Sequence, residues 1–341
     1  MYSVAQRGVP QKEHVDAAEI GSMPDWDSVR IFLEVVRCGS FRSASERLGQ
    51  SINGLRRAID ELQRRLGVIL LTRHVDGTRL TDEGAQVFAA AERMEAASFG
   101  LVRAKESTGA IASGEVHIAA TEGMGTFWIA PKIVEFQRLY PRISVDLRCA
   151  MKPADILRLE ADVAVQLDRP TALDLKVVKL GCMHVMLYAS ESYLRTYGKP
   201  KTRQELLKHR LIMQFADQTA AKEIYESWFP DIPQENFLMI RNNVSSANLW
   251  MIMKGAGIGL LPTYATAIGA RVVPLDIDLC RPFDIWLTYH ADAKRIPRVR
   301  HLVEWMIEAF NPAVYPWFKD EFIHPKELAT AYRGDPIVSF F

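Results

Sequence analysis

Three times between residues 25 and 67 the chain repeats one short pattern: a helix-capping residue, an amphipathic run, then a glycine suited to end it. The caps are Asp25, Ser40 and Ser51, and the glycines are Gly39, Gly49 and Gly67. Three short helices joined by tight turns follow, and two short helices about a glycine-containing turn have the geometry of a helix-turn-helix. In the first run Val29, Phe32, Leu33 and Val36 share a stripe, as a scaffold helix requires. The third, running to about Leu66, sets Leu55, Ile59, Leu62 and Leu66 on one face. Asn53, Arg56, Arg57, Asp60 and Arg64 occupy the other, so one face suits a core and the other a duplex groove.

Local charge separates this reading from an ordinary solvated helix. The 341-residue chain carries a net charge of +1, so no global basic field marks a polyanion partner. Residues 41–80 nevertheless hold eight Arg, one His and no Lys against four acidic residues. Arginine bonds bidentately to guanine edges and phosphates, which suits base reading. After the third helix, residues 73–80 read as a hairpin turning at Asp76-Gly77, a wing that places Arg73 and Arg79 near phosphates. The candidate DNA contacts are Ser40, Arg42, Ser51, Ile52, Asn53, Arg56, Arg57, Arg64, Arg73 and Arg79. Asn53, Arg56 and Arg57 are expected at base edges, with a phosphate-only role as the alternative. Ile52 either meets a thymine methyl or extends the core.

Together the runs FLEVVRCGSFRSASERLGQS, LRRAIDELQRRLGVILLTR and GTRLTDEG resemble the LysR-type regulator family over residues 26–94. Similar proteins usually begin the recognition helix Gln-Pro-Ala and place Ser before the Arg. Here Ile52-Asn53-Gly54 and Arg56 stand at those positions, so the expected operator differs from the family's common one.

Thr81 caps a further helix beginning at Asp82 and reaching about residue 105. Val87, Ala91, Met94, Ser98 and Leu101 follow the spacing of a seam packed on another helix, with burial against the same chain as the alternative. A helix of about 25 residues spans about 37 Å, more than a short domain covers. The resemblance implies homodimerisation through this element, with a dimer of dimers as the larger assembly, presenting two recognition helices to a two-fold operator.

Beyond Gly114, strand-like runs at 116–120, 143–147, 162–167, 184–189 and 283–289 alternate with helical patterns. One helix follows Thr126 and carries Ile129, Ile133, Phe136 and Tyr140 on a stripe. The stretches at 115–147, 187–200 and 254–265 resemble a type 2 periplasmic-binding-protein-like effector domain, whose two α/β lobes would enclose a cleft. Ligands of such sheets sit beyond strand ends, at helix N-termini. Thr121, Gly123, Met124, Gly125, Thr126, Gln166, Asp168, Asn243, Ser245 and Ser246 are the candidate effector contacts, each with an ordinary capping role as its alternative. A small molecule is expected there, an organic acid being one candidate. The glycines of residues 255–259 follow a helix and enter a strand, the reverse of a dinucleotide fingerprint.

The fold expected is therefore multidomain: an all-α winged helix-turn-helix at 24–81, a long linker helix at 82–106, a hinge at 107–114, and a two-lobed α/β domain at 115–311. Lobe I takes 115–180 and 274–311, and lobe II takes 181–273. An extension at 1–23 without an apolar run reads as a loose tail, neither signal peptide nor membrane anchor. The tail at 312–341 holds Tyr315, Trp317, Phe318, Phe322, Tyr332, Phe340 and Phe341, too aromatic for disorder; it packs on its own domain or on a partner. Four separated cysteines form no zinc pattern and fit a reducing cytoplasm. No HExxH, GxSxG or Walker motif is present, so neither an enzyme nor a cofactor is expected. A secreted solute-binding protein would share the α/β domain but has no use for an arginine-rich head.

Overall fold

The computed structural model describes residues 23–74, 77–106, 112–172 and 174–332. Residues 1–22 of the expected loose tail, 107–111 of the expected hinge, Asp76 of the expected wing turn, Phe340 and Phe341 lie outside the described residues. Two compact units divide between Ser98 and Phe99.

In the first unit the three capped runs are helices α1 Trp26–Cys38, α2 Phe41–Leu48 and α3 Ile52–Leu66. Asp25, Ser40 and Ser51 accept hydrogen bonds from the backbone N–H groups of Ser28, Ser43 and Gly54, satisfying donors that a helix start leaves open. Strands β1 Leu71–His74 and β2 Gly77–Leu80 pair antiparallel with His74 opposite Gly77, so Gly77 belongs to the strand and not to the turn. A side chain there would overlap the Gly39 carbonyl oxygen, the same oxygen that accepts the Thr78 N–H at 2.9 Å. Close backbone approach is what this glycine permits.

Helix α4 Asp82–Glu106 starts where the Thr81 hydroxyl accepts the Gly84 N–H at 2.8 Å. Its Val87 and Ala91 pack into the core formed by Phe32, Leu33, Leu55, Ile59, Leu62 and Leu70. The expected seam is corrected here: Val87 and Ala91 face their own unit, whereas Ala90, Met94 and Ala97 are exposed. Glu34 and Glu95 are buried, and each has an arginine. Arg37 forks onto Glu95 at 3.0 and 2.8 Å, and Arg47 reaches Glu34 at 3.0 Å. A buried carboxylate is tolerated only when paired, so this network locks α1 against α4 in one register.

The second unit contains strands β3 Gly114–Ala120, β4 Ile143–Cys149, β5 Val163–Gln166, β6 Leu175–Ala189, β7 Leu211–Gln214, β8 Leu238–Asn242, β9 Ile258–Pro262, β10 Val273–Pro274 and β11 Cys280–His290. Among the described residues they form one sheet in the order β4-β3-β5-β11-β6-β9-β7-β8, with β10 also on β6. Parallel pairs sit at both ends, and the long antiparallel pair β6/β11 joins them. Its register shifts between Ile285 and Trp286. Leu275, Ile277 and Leu279 pack in the second-lobe core with Leu211 and Phe229, so the second crossing falls inside β11, later than the expected residue 274.

The helix expected after Thr126 begins earlier. Glu122–Met124 makes its first turn and Gly125–Ile129 a π-turn before α5 Ala130–Leu139. Ala130 donates back to the Gly125 carbonyl, and Pro131, lacking an N–H, cannot continue the normal ladder at this point. The π-turn packs Trp128, 1% exposed, among the rings of Tyr264, Phe310, Tyr315, Trp317 and Phe318, with centroids between 4.9 and 6.2 Å away. Tyr315, Trp317, Phe318 and Tyr332 of the aromatic tail thus pack in or against the core of their own unit, whereas Phe322 is exposed. The tail continues across the β6/β11 pair, where Lys179 joins Asp284 and Asp320 at 2.8 and 2.7 Å.

Trp317→Ala should therefore destabilise this unit by about 3–5 kcal/mol, the usual result of emptying a large aromatic site. Removal of residues 312–341 should lower the melting temperature and leave the oligomer mass unchanged in light scattering. An unaltered melting temperature would contradict the packing described.

Candidate functional site

Leu55, Ile59 and Leu62 of α3 are at most 2% exposed, and this burial turns the opposite face outward. Asn53, Arg56, Arg57, Asp60 and Arg64 are all exposed on it. The Arg56 guanidinium lies 5.8 Å from the Phe41 ring centroid, over the start of α2. Arg57 makes no hydrogen bond or ion pair among the described residues. Ile52 is half-buried at the helix start, and the Ser40 and Ser51 hydroxyls act as caps. Arg42 is exposed and 3.6 Å from Glu46. Arg79 is exposed on β2, and Arg73 stands opposite Thr78 on β1.

Arg64 differs from its neighbours. It donates to Glu61 from Nε at 2.9 Å and from Nη2 at 2.5 Å, while Arg65 Nε reaches the same carboxylate at 2.7 Å. Hydrogen bonds from these two arginines pull the Glu61 carboxyl down to about 2. Sequence reasoning grouped Arg64 with Arg56 and Arg57; the spacing of three to Glu61 was the overlooked signal.

In the second unit the turn after β3, at Glu122 and Gly123, meets the start of helix α6 Ser245–Met253. Ser245 and Ser246 lie in the first turn of α6 rather than before it. Two cavities adjoin there, with Thr121 in the walls of both. The inner, of 120 Å³, is lined by Thr121, Gly123, Met124 and Ser245 of the expected residues, together with Met151, Met183, Met213, Phe283 and other apolar groups. The outer, of 330 Å³, is lined by Thr121 and Gln166 with Arg148, Lys152, Glu160 and Gln218.

Gly125, Thr126, Asp168, Asn243 and Ser246 line neither cavity. Asp168 and Asn243 are exposed, Gly125 is packed on Cys149, and Thr126 donates to Glu122 at 3.3 Å.

Two residues that sequence reasoning missed hold the lobes together. Glu122 Oε2 accepts the Ser246 N–H at 3.1 Å, so a carboxylate from the first lobe occupies the N-terminal end of α6 in the second. Gln218 donates to the Met151 carbonyl at 2.8 Å and accepts the Leu167 N–H at 2.9 Å. Its φ of 65° is in the left-handed region, a strain that these lobe-to-lobe bonds sustain.

An arginine-faced helix-turn-helix combined with a two-lobed α/β domain defines a transcriptional regulator carrying a substrate-binding domain. The family profile described as "LysR substrate binding domain" matches residues 109–311, and that of the "Bacterial regulatory helix-turn-helix protein, lysR family" matches residues 26–85. The chain belongs to the LysR family, whose members are transcriptional regulators and not enzymes. An HTH-type transcriptional regulator of Xanthomonas campestris is 32% identical over 191 residues; the match spans 55% of each chain, about half the relative's length. The probable HTH-type transcriptional regulator LtrA of Klebsiella pneumoniae is 24% identical over 84% of this chain and 94% of its own. The crystal structure of ArgP from Mycobacterium tuberculosis shares the fold with a TM-score of 0.54, at 18% identity over 83% of this chain and 96% of that one.

Arg56→Ala and Arg57→Ala should each weaken operator binding by about 1–3 kcal/mol in gel-shift titrations and relax discrimination between operators. Glu61→Gln, which removes the carboxylate that holds Arg64, should raise affinity for any duplex and steepen its salt dependence. Unchanged affinity and discrimination in both arginine variants would remove them from the interface.

Proposed function

We propose that this chain is a dimeric, sequence-specific DNA-binding regulator whose α/β unit responds to a small molecule. The observation that carries this reading is the two-faced α3, with Leu55, Ile59 and Leu62 buried and Asn53, Arg56 and Arg57 exposed. Asn53 and the arginine pair read base edges, with Ile52 beside them. Ser40, Arg42, Ser51, Arg73 and Arg79 position the phosphates. Arg64 joins them only by leaving Glu61.

The dimer seam on α4 runs along Ala90, Met94 and Ala97, an exposed stripe that keeps Met94 of the expected positions and replaces Ala91 and Ser98 by their neighbours. Small residues there let a partner helix approach closely. The domain limits given from the sequence are retained, with the second crossing moved into β11. Four free cysteines support a reducing, cytoplasmic setting. No described helix is long and apolar enough to cross a membrane.

The effector enters the cleft between the lobes. An organic acid in the outer cavity would meet Lys152 beside Thr121 and Gln166, with Glu160 also in the wall, and would draw Arg148 from Asp146, which holds it at 2.8 Å. To act, it must bind one lobe arrangement better than another.

Ala90→Glu combined with Met94→Glu should split the dimer in sedimentation velocity and weaken operator binding, because each half-site then binds alone. An intact dimer would place the interface elsewhere. Where an organic acid binds, Arg148→Ala with Lys152→Ala should loosen it at least tenfold by calorimetry, about 1.4 kcal/mol; unchanged affinity would exclude the outer cavity.

A further inference from the structure

We propose that the inner cavity is a separate subsite for a neutral, mainly apolar molecule about one ring in size, and that the protein's own Glu122 keeps anions out of it. The inference rests on the reading of this cleft as a sensor but concerns a different ligand class from the one the outer cavity suits.

Size comes first. At 120 Å³ the cavity is far below the space a drug-sized ligand needs. It approaches the roughly 150 Å³ cavity that admits benzene.

Chemistry comes second. The lining contains no Lys, Arg, His, Asp or Glu, and Met124, Met151, Met183 and Met213 give it soft, adaptable walls. A carboxylate placed here would lose its hydration with no cation in exchange.

The one feature of the cleft that would draw an anion, the N-terminal end of α6, is already held by Glu122 through the Ser246 N–H, and Thr126 Oγ1 supports the same carboxylate. Polar groups of the lining are largely committed to each other. Gln214 bonds Ser245, Asn248 donates to the Leu260 carbonyl and accepts from Asn242, and Thr219 donates to Ala216. Thr121 and Tyr264 are the exceptions: they are 3% and 2% exposed, and neither hydroxyl makes a hydrogen bond among the described residues. The site thus offers an apolar slot with two uncommitted hydroxyls, Thr121 and Tyr264, which a ring bearing a single hydroxyl or carbonyl could engage.

Phenol and benzoate, titrated calorimetrically into the full chain, test this. Phenol should bind. Ala265→Leu, which adds bulk to the lining, should weaken phenol at least tenfold, and Thr121→Val should weaken it severalfold with the melting temperature retained. Benzoate should not displace phenol until Glu122→Ala opens the helix end.

Failure of phenol to bind, or displacement by benzoate in the unaltered chain, would overturn the proposal. Phenol binding that ignores both Ala265→Leu and Thr121→Val would overturn it too. Should phenol fail while an organic acid binds in a manner dependent on Lys152, the subsite is wrong and the sensor reading stands.

Discussion

The apolar face of α3 is the contact on which the rest depends. Its arginines can be presented in a fixed geometry only because Leu55, Ile59 and Leu62 are sunk into a core shared with α1 and α4. Burial of three such side chains is worth several kcal/mol, at about 1.5–3 kcal/mol each, in a core they share with Phe32, Leu33 and Leu70. The same core receives Val87 and Ala91, and the Arg37–Glu95 fork repeats the attachment in polar form. Orientation of the recognition face is therefore tied to the first half of the linker helix, the element proposed to carry the dimer.

The α/β unit solves a different problem. Two lobes share one sheet through the β6/β11 pair, and across the cleft Glu122 and Gln218 supply side-chain bonds between the lobes. Small changes at these bonds are well placed to bias one lobe arrangement over another. The two cavities divide the cleft by chemistry, charged groups outside and methionines inside, with Thr121 in the walls of both.

What was legible in the sequence was local. Caps, glycines and a 3.6-residue period lie within one helix turn of the structure they specify, so α1 to α3 and the start of α4 follow from the residues alone. The expected stripe mixes positions buried in their own unit with exposed ones because Ala90, Ala91, Ala97 and Ser98 are all small, and periodicity cannot choose between adjacent stripes of small residues. The choice is made by Arg37, far away in the chain, which draws Glu95 inward. Strands β7 and β8, of four and five residues, are too short for an alternation to show. Glu122 and Gln218 carry no local signal, since each acts through a partner in the other lobe. The helix start of α6, expected to meet an anion, is met by the chain's own Glu122.

The central claim, that α3 reads a duplex from its arginine face, is tested most directly by selecting genomic fragments with the full chain at physiological salt and mapping guanine N7 protection on those retained. Enriched fragments with two protected half-sites, about 10.5 base pairs or a multiple apart, are the result this account predicts. No enrichment over bulk DNA, with or without added metabolites, would contradict it.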